Sequence, residues 1–294
     1  EKARGKETRD MKPGEFRQAC RDYAKAQVDV QRADFIRLGV MGDWSRPYLT
    51  MDQPFEAEQL RALAQILRNG HVYKGSKPVH WCLDCRSSLA EAEVEYEDRT
   101  DSAIDVGFPL TDPAERAKLA KAFGLPQPHD GPLHAVIWTT TPWTLPANQA
   151  VCLHGEIDYA FVQVGDEVLI MAEKLLESVT KACKLEGARV FGVKKGREGF
   201  EGIETQRPLT TGLSPILLGD FVTLDQGTGC VHIAPGHGME DYILVLEHNA
   251  KASPGERLEI LAPVDNSGRF TEIVKEFAGQ HVLKANPKIV EFLQ

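Results

Sequence analysis

No apolar run in this chain approaches the roughly 20 residues that a membrane-spanning helix needs, and the charged N-terminal stretch does not read as a signal peptide. The sequence therefore predicts a soluble, cytoplasmic protein without a membrane partner. Close cysteine pairing is scarce: of six cysteines, only Cys82 and Cys85 are near neighbours. That spacing is poor material for a disulfide framework and suits reduced thiols with a possible metal knuckle. Excess positive charge is absent too. A net charge of -9 argues against a general nucleic-acid coat, whose affinity comes from Lys and Arg on phosphates. Also missing are a Gly-x-Ser-x-Gly elbow, a His-Glu-x-x-His pair and a Gly-x-x-x-x-Gly-Lys-Ser/Thr loop, which excludes a serine hydrolase elbow, a zincin helix and a phosphate-binding P-loop.

What remains is a chain of 294 residues, 42% apolar, with room for one large or two ordinary domains. It opens on Glu1 and a charged stretch with no fold-starting pattern, and reads as a piece of a longer protein. Apolar spacing predicts helices over 14–37 (Phe16, Cys20, Tyr23, Val30) and 54–68 (Leu60, Leu63, Leu67, with Asn69-Gly70 as stop). After the cysteine pair the pattern turns to strands. Expected are 134–138, a hairpin of 159–164 and 167–171 about Gly165-Asp166, 190–193, and 216–224 with 230–233 flanking an Asp225-Gln226-Gly227 turn. Helices are expected over 173–184 and 239–248, with a last one starting at Asn286-Pro287 and breaking off at Gln294. A surface loop is expected around Gly124–Pro132.

The fold class this implies is α+β, a barrel-like mixed sheet with flanking helices, preceded by a helical segment and the Cys-x-x-Cys knuckle. The expected division is 1–97, 98–285 and 286–294. Between Lys174 and Arg197, seven basic residues stand against Glu177 and Glu186, a locally positive stretch that suits RNA contact or a plain solvated helix face.

Two stretches carry chemistry. Trp138-Thr139-Thr140-Thr141-Pro142-Trp143-Thr144-Leu145-Pro146-Ala147-Asn148 sets several hydroxyls on a proline-stiffened turn, where they can bind a ribose, an ester carbonyl or a water. Gly227-Thr228-Gly229-Cys230-Val231-His232-Ile233-Ala234-Pro235-Gly236-His237-Gly238, running on to Asp241-Tyr242, places one histidine on a strand, another in a glycine turn and an aspartate at a helix start. A fixed aspartate is a natural partner for an ammonium group. His232, His237 and Asp241 can also be read as a metal set, the weaker reading because their spacing matches no established zinc pattern. A structural role for His237, holding its turn, stands beside a catalytic one. Cys82 and Cys85 supply half of a structural zinc site, with His80 as a conceivable third ligand.

Together these runs resemble the editing domain, connective peptide 1, of isoleucyl-tRNA synthetase, a class I aminoacyl-tRNA synthetase, and the wider pattern agrees from about Phe16 onward. Where leucyl and valyl relatives carry Arg-Pro-(Asp/Glu)-Thr after the threonines, Pro142-Trp143-Thr144 stands here, pointing to the isoleucyl type. The resemblance implies hydrolysis of valine mischarged onto the isoleucine tRNA, tRNA(Ile), with the tRNA acceptor end and the rest of the parent synthetase as partners. Asp241 would hold the substrate's ammonium, and Thr139, Thr140 and Thr141 would position the ester. His232 with Trp143 would set the size limit, and Thr144, Asn148, Gly236 and His237 would complete the binding surface. No cofactor is implied for hydrolysis. Any zinc at Cys82 and Cys85 would be incompletely held, since the family's second cysteine pair lies beyond this chain. ATP belongs to the parent alone, because His-Ile-Gly-His and Lys-Met-Ser-Lys-Ser are absent. A non-catalytic module that binds the acceptor end, an editing domain of valyl or leucyl type, and a free-standing metal hydrolase are the alternatives.

Overall fold

The computed structural model describes residues 11–98, 100–125 and 131–294. The charged opening and most of the loop expected around Gly124–Pro132 lie outside the described residues. Packing divides the chain into two units, Glu1–Gly75 and Ser76–Gln294, a division ahead of the expected boundary at 97/98.

The first unit carries α1 (Pro13–Arg37) and α2 (Gln53–Arg68), within a residue of the expected bounds. Their apolar stripes fall at helical spacing but stay open: Tyr23 is 69% and Leu60 66% exposed, and neither helix buries a residue. Two helices and a short connection enclose too little volume for a core of their own. Polar contacts tie the unit instead, with Arg21 donating to the Met51 carbonyl and to Glu56.

The second unit opens with a small hairpin, β1 (Trp81–Cys82) and β2 (Ser87–Ser88), whose turn holds the cysteine pair. The Cys85 amide donates to Cys82 Sγ at 3.3 Å, and Arg86 takes the left-handed conformation that closes the turn. Trp81 Nε1 donates to the Asn266 carbonyl, fixing the hairpin to the body of this unit. Among the described residues no three His, Cys, Asp or Glu side chains converge to hold a metal, so His80 does not complete the expected zinc half-site.

Then come β3 (Ile104–Pro109), α3 (Pro113–Ala122), β4 (Leu133–Thr139), β5 (Ala150–Leu153), β6 (Asp158–Val164), β7 (Glu167–Ala172), α4 (Leu176–Ala182), β8 (Arg189–Lys195), β9 (Glu204–Gln206), β10 (Leu213–Leu218), β11 (Val231–Ile233), α5 (Met239–Lys251) and α6 (Val282–Leu293). They form a five-stranded sheet, β3-β4-β7-β6-β8, and a four-stranded one, β11-β5-β10-β9. Both are mixed, with parallel β4/β7 and β10/β5 pairs in otherwise antiparallel ladders.

Among the described residues the expected barrel-like sheet does not close into a barrel. Among these residues, the bridge Leu110 to Thr205 joins the two sheets at one corner, and β8 pairs with β6 at the sheet edge. The strands expected to flank the Asp225–Gly227 turn are also rearranged. β10 ends at Leu218, and β10 and β11 lie on opposite sides of β5, whose four residues are all buried and suit only an interior position. The last helix begins at Val282 rather than Pro287, because Val282, Ala285, Asn286 and Ile289 make a buried stripe at helical spacing. Pro287 sits on the exposed face, where water can satisfy the carbonyl that its missing N–H leaves unpaired.

The β6/β7 hairpin turns at Gly165 and Asp166 as expected, with Gly165 at positive φ. α3 starts where Asp112 accepts from the Ala114 amide at 2.7 Å ahead of Pro113. The core of this unit centres on Phe123, Tyr159, Phe161 and Phe200, with the Phe123 and Phe161 rings stacked. Fully burying such side chains contributes roughly 1.5–3 kcal/mol each. Tyr159 adds a polar tie: its hydroxyl donates to the Gly229 carbonyl at 2.7 Å and accepts from the His154 amide at 2.9 Å. Tyr159→Phe strands both groups and is expected to lower stability by about 1–3 kcal/mol. Chemical denaturation measures this, and an unchanged midpoint would show that the hydroxyl is not needed.

Candidate active site

The end of β4 runs through a short 3-10 helix, Pro142–Ala147, into β5, and β11 lies against β5 with His232 opposite Val151. This connection brings the threonine turn over the histidine strand. The Trp143 amide donates to Asn286 Oδ1 at 3.0 Å, so α6 braces the turn from behind.

Within the turn, the Thr141 amide donates to Thr139 Oγ1 at 3.1 Å, and Thr144 Oγ1 donates to the Thr141 carbonyl at 2.9 Å. Thr144 Oγ1 also lies 2.7 Å from His232 Nε2, and Asn148 Nδ2 lies 3.0 Å from His232 Nδ1. Both ring nitrogens of His232 are thus engaged. Burial, with a smaller contribution from His237, pushes its pKa down to about 4, so the imidazole is neutral at neutral pH.

The turn after β11 carries Asp241 to the same place. The His237 and Gly238 amides both donate to the Ala234 carbonyl, and α5 then starts at Met239. In the first turn of α5, Asp241 Oδ2 accepts from the Ala234 amide at 2.7 Å. Burial raises the pKa of this carboxyl and outweighs that bond. Glycine is required twice here. A Cβ on Gly236 would lie 2.2 Å from the Leu261 carbonyl oxygen, and one on Gly238 would lie 2.9 Å from Asp241 Cγ. The His237 ring meets the Trp143 ring edge-on at 4.9 Å, its Nε2 is buried with no hydrogen-bond partner among the described residues, and burial pushes its pKa down to about 4.

Thr139, Thr141, Thr144, His232, His237 and Asp241 line one cavity of about 240 Å³, walled also by Trp138, Val231, Ala234 and Gly238. A second cavity of about 390 Å³ shares Trp138, Thr139, Val231 and Asp241 with it and adds Thr140, Thr223, Gln226 and Thr228. The two cavities adjoin, with Asp241 lining both. Three of the expected contacts are placed elsewhere. Trp143 packs against His237 instead of lining the cavity beside His232, Asn148 is fully buried behind that histidine, and Gly236 shapes the turn. Trp138, missed among the site residues, takes the wall position. Within the buried strand β4 it is one of two half-buried side chains, which the sequence run alone does not reveal.

A family model for the class I tRNA synthetases (I, L, M and V) matches residues 1–278. The chain is 52% identical over 299 aligned residues to the isoleucine–tRNA ligase of Methylococcus capsulatus and 49% identical over 294 to that of Thioalkalivibrio sulfidiphilus. All of the chain is covered, and it spans 30% of the length of each relative. Among solved structures, its fold is similar to the editing domain of the P. knowlesi cytosolic leucyl-tRNA synthetase (TM-score 0.54, 11% identity, 65% of this chain and 92% of that one). It is similar also to GlLeuRS-CP1 (TM-score 0.52, 16% identity, 65% and 95%).

The buried histidines give stability a pH dependence of definite sign. His232 titrates at about 4 in the folded chain against an ordinary 6.5, so its contribution is complete above 6.5 and is lost as pH falls toward 4, where the unfolded chain binds the proton first. The loss is about 3 kcal/mol for this ring, and His237 acts in the same window. Urea midpoints are expected to decline steadily below 6.5, and His232→Gln should flatten the decline; a level midpoint would mean that the rings protonate without penalty.

Proposed function

The chain belongs to the class I tRNA synthetases of the I, L, M and V group, and from that premise we propose that its cleft hydrolyses the ester joining valine to the terminal adenosine of the isoleucine tRNA, while rejecting isoleucine by size. The observation that carries this reading is that the threonine hydroxyls, His232 and Asp241 line one cavity. Half-identity to isoleucine–tRNA ligases over the whole chain favours the isoleucyl type over the leucyl and valyl ones.

An aminoacyl ester carries a free ammonium group. The Asp241 carboxylate faces the cavity and offers a charge-assisted partner in a partly desolvated place, where such a bond is strong. The neutrality of His232 and His237 matters as much, because an imidazolium would repel that ammonium. The side chain of the amino acid then meets Trp138, Val231 and His232, and the nucleoside extends into the larger, more polar cavity past Thr140 and Thr228. Thr139 and Thr141 hold the ester and the attacking water. Neither histidine suits a general base: His232 has both nitrogens occupied, and a ring titrating near 4 is a weak acceptor, so the substrate's own ribose hydroxyl orients the water.

Discrimination by exclusion answers a physical limit. A hydrophobic pocket converts one methylene into only about 1–3 kcal/mol, a limit for which isoleucyl-tRNA synthetases are themselves the usual illustration. Clash against a braced wall penalises the larger residue more steeply than a void penalises the smaller one.

The competing reading, an acceptor-end binding module without turnover, rests on the positive stretch from Lys174 to Arg197 and on the Cys82/Cys85 half-knuckle. Part of that charge is neutralised locally: Arg197 pairs with Glu156, and Lys195 lies 3.6 Å from Asp158. Single-turnover deacylation of Val-tRNA at high protein concentration separates the two readings. Asp241→Ala is expected to slow it by on the order of 100-fold or more. His232→Ala is expected to expose Ile-tRNA to hydrolysis, and chelators should change nothing. Full activity without Asp241 would remove its role, continued protection of Ile-tRNA would reject the sieve, and loss of activity on chelation would favour a metal hydrolase.

A further inference from the structure

Behind His232 runs a chain of hydrogen bonds whose direction is fixed at both ends. Arg207, just after β9, donates from Nε to Ser214 Oγ at 2.9 Å. Ser214 Oγ donates to Asn148 Oδ1 at 2.5 Å, and Asn148 Nδ2 faces both the Ala150 carbonyl at 2.9 Å and His232 Nδ1 at 3.0 Å. His232 Nε2 meets Thr144 Oγ1 at 2.7 Å, and Thr144 Oγ1 meets the Thr141 carbonyl at 2.9 Å. A guanidinium only donates and a carbonyl only accepts. Ser214 receives from Arg207 and must spend its one proton on Asn148 Oδ1. The Asn148 amide then turns its NH2 toward the Ala150 carbonyl and His232, and flipping it would set two oxygens against each other. His232 Nδ1 must accept, its proton sits on Nε2, and Thr144 receives that proton's bond while giving its own to Thr141.

We infer that Arg207 and Ser214 are positioning residues for size selection: acting through Asn148, they lock His232 as its Nε2–H tautomer and hold its ring against the threonine turn as a fixed wall. Ser214 and Asn148 are fully buried, and neither they nor Arg207 lines the cleft, so their effect reaches the substrate through His232 alone. Arg207 is anchored in turn, with Nη2 3.5 Å from Gln149 Oε1, which also accepts from the Glu259 amide. A fully satisfied buried network of this kind specifies one arrangement. A charged His232 would aim an N–H at the Asn148 NH2, so the same network disfavours protonation.

The consequence for selectivity rests on the editing reading above; the tautomer does not. Nitrogen-15 NMR of the imidazole in the intact chain at neutral pH is expected to show His232 with a protonated Nε2 and a bare Nδ1. In Ser214→Ala the ring signals should move toward a mixture of tautomers, and Ser214→Thr, which restores the hydroxyl, should move them back. Asn148→Asp, which presents only acceptors, should transfer the proton to Nδ1 and keeps the proposal testable should the serine variants misfold. In deacylation assays Ser214→Ala should reduce the preference for Val-tRNA over Ile-tRNA by about tenfold, the worth of one hydrogen bond, while the Val-tRNA rate stays within about twofold. A wild-type ring protonated on Nδ1, or a Ser214→Ala variant with unchanged ring signals and unchanged preference, would overturn the inference. Should the wild type fail to deacylate Val-tRNA while showing the Nε2–H ring, the relay stands and the editing reading falls.

Discussion

A neutral imidazole held between two opposed partners is the constraint on which the cleft depends. His232 sits on β11, and its ring nitrogens reach Thr144, within the short helix Pro142–Ala147 after β4, and Asn148, just past the end of that helix. Those two bonds fasten the histidine strand to the threonine turn, so neither can shift without stranding a buried polar group. The ring can serve only while it stays uncharged, and burial ensures that. Everything in front of it, from the threonine hydroxyls to the Asp241 carboxylate, keeps its place relative to that wall.

The sheet topology makes this arrangement affordable to sequence change elsewhere. β5 is short and wholly buried, flanked by β10 in parallel and β11 antiparallel, so residues distant in the chain converge without needing local sequence logic. Asp241 arrives through a turn in which Gly236 leaves no room for a side chain, and its carboxyl folds back over Gly238 to accept from the Ala234 amide. The result is a carboxyl in a desolvated corner whose pKa burial raises despite the bond from the Ala234 amide.

Much of the fold was readable because its elements announce themselves locally. The helices α1, α2 and α5 and the β6/β7 hairpin follow from apolar spacing and from Gly165, and they lie within a few residues of expectation. What escaped depended on partners far along the chain. β5 is short and carries no turn signal of its own, β10 and β11 were separated by an intervening strand, and α6 runs through a proline because a buried stripe outweighs the lost bond. The site shows the same division. Thr139, Thr141, Thr144, His232, His237 and Asp241 line one cavity, whereas Trp138, to which no role was assigned, walls it, Trp143 packs against His237, and Asn148 withdraws behind the wall. A motif shows which residues gather; only side-chain direction shows which face the substrate. Arg207 and Ser214 lay outside both runs, and no spacing pointed to them.

The most direct test is a crystal structure of the chain with a non-hydrolysable valyl-adenosine analogue. The account predicts the analogue's ammonium at hydrogen-bond distance from the Asp241 carboxylate, its side chain against His232 and Trp138, and its adenosine in the adjoining larger cavity. An analogue bound with its ammonium away from Asp241, or seated outside the cleft altogether, would contradict it.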